Sequence, residues 1–171
     1  MELENFIKEV LEALSQDYNN GRFKPILEAD VIGHLYYLWA LKIKDVSKIH
    51  LNTRICGCSN EKFDFVVGDV RACGKKLCIE PMLIIEVKPF LRGFTNKQHK
   101  NRRKSVKKRD IPKLAKLKNV ANNRYILLFD EHGYLNKDKL KEIMEARNKH
   151  DSKIKIIHMR KREVSLKYEI K

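Results

Sequence analysis

No stretch of this sequence stays apolar for the roughly 20 residues that a bilayer-spanning helix needs. That excludes an ordinary helical membrane protein. The acidic start Met1-Glu2-Leu3-Glu4 does not read as a secretory signal either, so the chain is expected inside a cell, in the cytoplasm. Glycine and proline are sparse, at 7 and 4 residues of 171, and neither gathers into a linker. With no internal repeat, residues 1–171 read as one domain. Carboxylates are in deficit too: 22 Asp and Glu stand against 37 Lys and Arg, a formal charge of +15. Such a surface suits a polyanionic partner, and with no membrane segment that partner is expected to be nucleic acid. A hydrophobic content of 43% argues for a packed core.

The charge is unevenly placed. Between residues 92 and 118, 12 Lys or Arg face the single Asp110, a net +11 in 27 residues that leaves only +4 for the other 144. A block of one sign is what phosphate neutralisation requires, and a solvated surface loop is the plainer alternative. The candidate contacts to a nucleic-acid backbone are Arg92, Lys97, Lys100, Arg102, Arg103, Lys104, Lys107, Lys108, Arg109, Lys113 and Lys116. For Lys113 and Lys116 a solvated helix face is the competing reading.

Leu3, Phe6, Ile7, Val10, Leu11 and Leu14 recur at helical spacing, which predicts an N-terminal helix within residues 1–20. A second helix starts near Pro25 and carries Val31, Ile32, Leu35, Leu38 and Trp39. Residues 48–56, 62–69 and 82–89 are short, Val/Ile/Phe-rich runs between turn-like stretches such as Cys58-Ser59-Asn60, and predict a three-stranded meander. A basic loop is expected at 92–109, then a helix capped by Asp110 with Pro112 in its first turn. Strands at 123–130 and 153–159 flank a helix at 137–148, a pattern suited to parallel pairing, and 163–170 reads as an edge strand. The fold class predicted is α/β, with a mixed central sheet flanked by helices.

Charges interrupt two apolar strands. In Leu83-Ile84-Ile85-Glu86-Val87-Lys88, Glu86 and Lys88 are two residues apart and share one strand face, while Asp64 sits among Phe63, Phe65, Val66 and Val67. Ionised groups in such surroundings need a partner or a metal. If the two strands form a hairpin, Asp64 and Glu86 converge at one end of it. Two carboxylates plus a substrate phosphate suit Mg²⁺ or Mn²⁺, and the Lys88 ammonium can offset charge developing on a phosphorane. Glu28, near the start of the second helix, offers a further carboxylate, with Asp30 its nearest competitor. The plainer alternatives are a surface ion pair for Glu86 and Lys88 and helix-dipole chemistry for Glu28.

Glu28, Asp64 and Glu86-Val87-Lys88, followed by a helix opened by Asp110, together resemble the PD-(D/E)XK nuclease superfamily over roughly residues 28–129. Phe63 stands where the motif has Pro. The resemblance implies a restriction-endonuclease-like α-β-β-β-α-β core, with the basic loop inserted after the catalytic strand. It implies metal ligands Asp64 and Glu86, a catalytic Lys88, and Glu28 as the acidic residue of the first core helix. The activity implied is metal-dependent hydrolysis of phosphodiester bonds, most readily in DNA, where a two-fold homodimer would serve to cut both strands. A non-catalytic nucleic-acid-binding module and an RNA-processing nuclease on the same fold are the alternatives.

Cys56, Cys58, Cys73 and Cys78 fall close together, in a C-x-C then C-x₄-C spacing unlike the paired C-x₂-C of zinc ribbons. Reduced, buried thiols are expected; a zinc site, an iron–sulfur site or two disulfides are the other options. His34 is a candidate to border the site. His99 and His132 are expected in loops, with no role.

Overall fold

The apolar stripe that predicts the first helix is the stripe it buries: in α1 (Leu3–Asn19) Phe6, Ile7, Val10, Leu11 and Leu14 all face the core. The computed structural model describes residues 3–43, 45–56, 61–74, 76–160 and 163–167, with backbone alone for Cys73, Lys76 and 163–167. Helix α2 (Glu28–Lys42) packs beside α1 through Val31, Leu35, Leu38 and Trp39. The Asp30 carboxylate accepts the backbone N–H groups of Ile26 and Leu27 at 2.7 and 2.8 Å, and this caps the first turn of α2.

Among the described residues six strands follow: β1 (Ile49–Arg54), β2 (Lys62–Cys73), β3 (Lys76–Phe90), β4 (Asn123–Asp130), β5 (Lys155–Arg160) and β6 (Glu163–Lys167). They form one mixed sheet in sequence order. Strands β1 to β3 are an antiparallel meander, β3, β4 and β5 run parallel, and β6 closes the edge antiparallel to β5. The meander and the parallel half match the sequence pattern, β6 covers 163–167 of the edge strand expected over 163–170, with 168–170 outside the described residues, and the β2–β3 hairpin is longer than its apolar runs suggest. At Gly68 the ladder shifts register, and a Cβ there would lie 2.2 Å from the Glu80 carbonyl oxygen, so only glycine fits this approach.

Both sheet faces are covered. On one, α1 and α2 pack over Phe65, Ile85, Val87, Leu127 and Phe129. On the other, Ile84, Phe90, Ile126 and Leu128 pack beneath Val106, Ile111 and Leu114 and beneath α5 (Lys137–His150), through Leu140 and Ile143. The molecule is therefore an α/β domain with helices on either side of a mixed sheet.

Residues 92–109 are not the loop that their composition suggests. They hold α3 (Asn96–Ser105), which runs through a π-helical turn (Val106–Asp110) into α4 (Ile111–Ala115). A capping box starts it: Thr95 Oγ1 accepts from Gln98 N–H at 3.3 Å, and Gln98 Oε1 accepts from Thr95 N–H at 2.7 Å. Asp110 makes no capping bond, because the chain is already helical there. The π turn has a local cause. Pro112 has no N–H for the Lys108 carbonyl, and Ile111 N–H reaches back five residues to Val106 O instead.

The cysteine expectation is also corrected. Cys56 and Cys78 form a disulfide across 22 residues, with Cα atoms 5.1 Å apart. It is made where Cys56 N–H donates to Ile79 O and Ile55 bridges Ile79, so β1's end is stapled to β3. Cys58 and the Cys73 side chain lie outside the described residues, as does the predicted turn at 58–60. Among the described residues, no helix is long and apolar enough to cross a membrane.

Candidate functional site

The β2–β3 ladder runs from the hairpin tip to the pair Phe65↔Ile85 and stops. Beyond it Val87 N–H donates to Asp64 Oδ2 at 2.8 Å, so a side chain takes over where the backbone partner is lost. Glu86, on the same strand, is 2% exposed. Its Oε1 accepts from Lys113 Nζ at 2.6 Å, and that ammonium lies 4.2 Å from the centroid of the Phe63 ring. Two residues on, Lys88 Nζ stands 3.6 Å from Asp110 Oδ2 and 3.7 Å from Glu28 Oε2. Arg102 donates to the same Glu28 oxygen at 2.6 Å. Glu28, Asp64, Glu86, Lys88, Asp110 and Lys113 line a cleft of about 470 Å³, with Asn52, Glu61, Lys62 and Arg109 completing its wall. Asn52 sits in β1 with φ of 47°, a left-handed conformation that asparagine tolerates better than most residues.

Burial governs the electrostatics here. It pushes the Glu86 carboxyl up to about 8, the Asp64 charge adds to the rise, and Lys113 pulls the other way. Burial also raises Asp64, against the Val87 N–H and the Lys88 charge. Desolvation acts to lower Lys88, but Asp110, Glu28, Asp64 and Glu86 outweigh it and the net shift is upward. Lys88 is therefore held as an ammonium, suited to stabilising negative charge and unsuited to taking up a proton.

Glu28, Asp64, Glu86 and Lys88, singled out in the sequence, thus line one cleft with Lys113. Lys113 is buried against Glu86, not displayed on a solvated helix face. Asp110 was missed: its position ahead of Pro112 resembles a helix cap, and only the continuous helix turns it toward Lys88. Asp30 serves the α2 cap, and His34 binds Asp17 at 2.9 Å while stacking on Phe23. Of the basic set, Arg103 and Lys107 both hold Glu142, Lys116 pairs with Glu61, and Arg92, Lys97, Lys100, Lys104, Lys108 and Arg109 are exposed. His99 is in α3, buried among Phe90, Phe94 and Tyr134, and its ring packs as part of the core.

Among the described residues, no three His, Cys, Asp or Glu side chains converge as a ready-made metal cage. The inner pair nevertheless fits a hard divalent cation. Each carboxylate has one oxygen anchored by a protein donor, Asp64 by Val87 and Glu86 by Lys113, which orients the other as outer-shell partners do in metal sites. Mg²⁺ commonly takes one or two protein carboxylates and completes its shell with water and phosphate. Comparison with protein-family models, with curated proteins and with solved structures finds no match to this chain.

Proposed function

We propose that this protein is a metal-dependent nuclease that hydrolyses phosphodiester bonds, most readily in DNA, on a restriction-endonuclease-like core. The observation that carries the reading is the meeting of two desolvated carboxylates, Asp64 and Glu86, with the ammonium of Lys88 in one cleft. A buried carboxylate pair is costly to keep for a fold alone. The run α2, β1, β2, β3, helix, β4 supports the same reading, because it follows the α-β-β-β-α-β order of the PD-(D/E)XK nucleases.

Asp64 and Glu86 would hold Mg²⁺ or Mn²⁺ through their unanchored oxygens. The chemistry supplied by such an ion, when bound, is polarisation of a phosphoryl oxygen and acidification of a water. Lys88, kept protonated by Asp110 and Glu28, stabilises negative charge as it develops on the phosphoryl group. Glu28 and Asp110 thereby position Lys88. Lys113 fixes the rotamer of Glu86 and balances its charge. Arg109, exposed at the rim of the cleft, is placed to meet a flanking phosphate.

The test is incubation of purified protein with supercoiled plasmid and with labelled single- and double-stranded DNA and RNA, in Mg²⁺, Mn²⁺ or chelator. Metal-dependent cleavage of DNA is expected. Binding without cleavage of any substrate would reduce the protein to a nucleic-acid-binding module, and cleavage of RNA alone would move it to RNA processing.

A further inference from the structure

The basic segment is not one uniform patch, and its helical form sorts its cations into two sets. Arg102, Arg103 and Lys107 turn toward the protein. Arg102 binds Glu28 at 2.6 Å and covers the Phe94 ring at 4.6 Å, while Arg103 and Lys107 bind Glu142 of α5 at 3.0 and 2.5 Å. Glu142 is held below its ordinary value by the Lys107 hydrogen bond and by Arg103. These three cations pin the helix between α2 and α5.

Lys97, Lys100, Lys104 and Lys108 are all exposed, and among the described residues no carboxylate pairs with any of them. They are spaced three, four and four residues apart, as neighbours along one helix face are. The ridge they make is 11 residue steps long, about 16 Å at helical rise, long enough to lie along several successive phosphates of one strand. A second row, Gln98, Asn101, Arg102 and Ser105, lines a cavity of about 320 Å³ that also contains Lys88. This row lies between the ridge and the catalytic cleft. Lys88 lines both cavities, so a backbone lying on the ridge is led toward the two carboxylates.

We propose that α3 and its π turn form the track for one strand of a DNA duplex. Lys97, Lys100, Lys104 and Lys108 contact successive phosphates, and the cavity of Gln98, Asn101 and Ser105 receives the nucleotide beside the bond to be cut. This rests on the nuclease reading for the position of that bond, and the track itself is testable without turnover. The ridge contacts are to phosphate, so they set affinity and register and carry no sequence information.

The experiment titrates three forms of the full chain onto a labelled DNA duplex in Ca²⁺ over a range of KCl: the wild type, an outward variant with Lys97, Lys100, Lys104 and Lys108 each changed to Gln, and an inward variant, Arg103→Gln with Lys107→Gln. Each lost phosphate contact flattens the slope of log K against log salt by about 0.9. The outward variant should therefore bind with a slope shallower by about 3 to 4, with its thermal unfolding unchanged. The inward variant should unfold at lower temperature, with its slope moved by less than about 1. An unchanged slope in the outward variant overturns the track. So does equal flattening in both variants, which would mean diffuse charge, and so does the absence of wild-type binding. A track that survives beside a wild type that binds and never cuts would count against the nuclease reading alone, and cutting with an unmoved outward slope would count against the track alone.

Discussion

Lys113 Nζ lies 2.6 Å from Glu86 Oε1, and both side chains are almost fully buried. Removing one member of such a pair strands the other. Below about 8 Glu86 already holds a proton, so Lys113→Met strands no charge there, whereas above it the variant must keep an unpaired carboxylate or take up a proton. The variant should therefore lose more stability at pH 9 than at pH 6. Urea unfolding at the two pH values measures this, with a loss of about 3 kcal/mol at the higher pH. Equal losses at both would mean that the pair is not electrostatic in origin.

The raised Glu86 carboxyl has its own pH signature. Between its ordinary 4.5 and about 8 the folded protein holds a proton that the unfolded chain releases. This contribution to stability is fully present below 4.5 and lost as pH rises through that window. In chelator, wild-type stability should fall relative to Glu86→Gln as pH rises from 5 to 8.5. With Mg²⁺ added, the wild type should regain stability at high pH and the variant should not, because ion and proton compete for the same carboxylate. A wild type whose difference from Glu86→Gln is flat with pH would contradict the shift.

The Cys56–Cys78 disulfide closes a loop of 22 residues. Cross-links of that span stabilise a fold by about 3 kcal/mol, chiefly through the unfolded chain. Dithiothreitol, or Cys78→Ser, should lower the unfolding free energy by about that amount. Denaturation with and without reductant checks it, and an unchanged midpoint would mean that the bond is not formed in solution. Such a bond persists in oxidising compartments and in the interior of hyperthermophiles, which sits against the expectation of an ordinary reducing cytoplasm.

Much of the fold is legible in the sequence because its strands and terminal helices carry clean periodicities. Asn123–Asp130 reads as a strand from its apolar run alone, and Glu86 with Lys88 is visible as charge in a buried strand. What was not legible lies where helix is encoded by capping instead of periodicity. Residues 96–105 bury only His99, so no apolar stripe marks them, and the T-x-x-Q box at Thr95 and Gln98 was the available signal. With that helix missed, Asp110 looked like a cap and Lys113 like a surface cation. The pairing of Cys56 with Cys78 is not legible because the two meet where Ile55 bridges Ile79 and Cys56 N–H donates to Ile79 O, long-range contacts that no local spacing announces.

The capping box itself is testable. Thr95→Ala removes the side-chain acceptor for Gln98 N–H and should cost about 1 kcal/mol, felt first as faster amide exchange in α3. Because that helix carries Lys97, Lys100 and Lys104, Thr95→Ala should also weaken duplex binding. Unchanged exchange in α3 would show that tertiary contacts alone hold the helix.

The most direct test is plasmid cleavage in Mg²⁺ by the wild type beside Asp64→Asn, Glu86→Gln and Lys88→Met, with folding of each variant confirmed by circular dichroism. Each substitution removes a charge from the cleft and little volume. The expected result is nicking by the wild type that stops in chelator, and a loss of at least about a hundredfold in every variant. Wild-type levels of cutting in all three would contradict the proposed site.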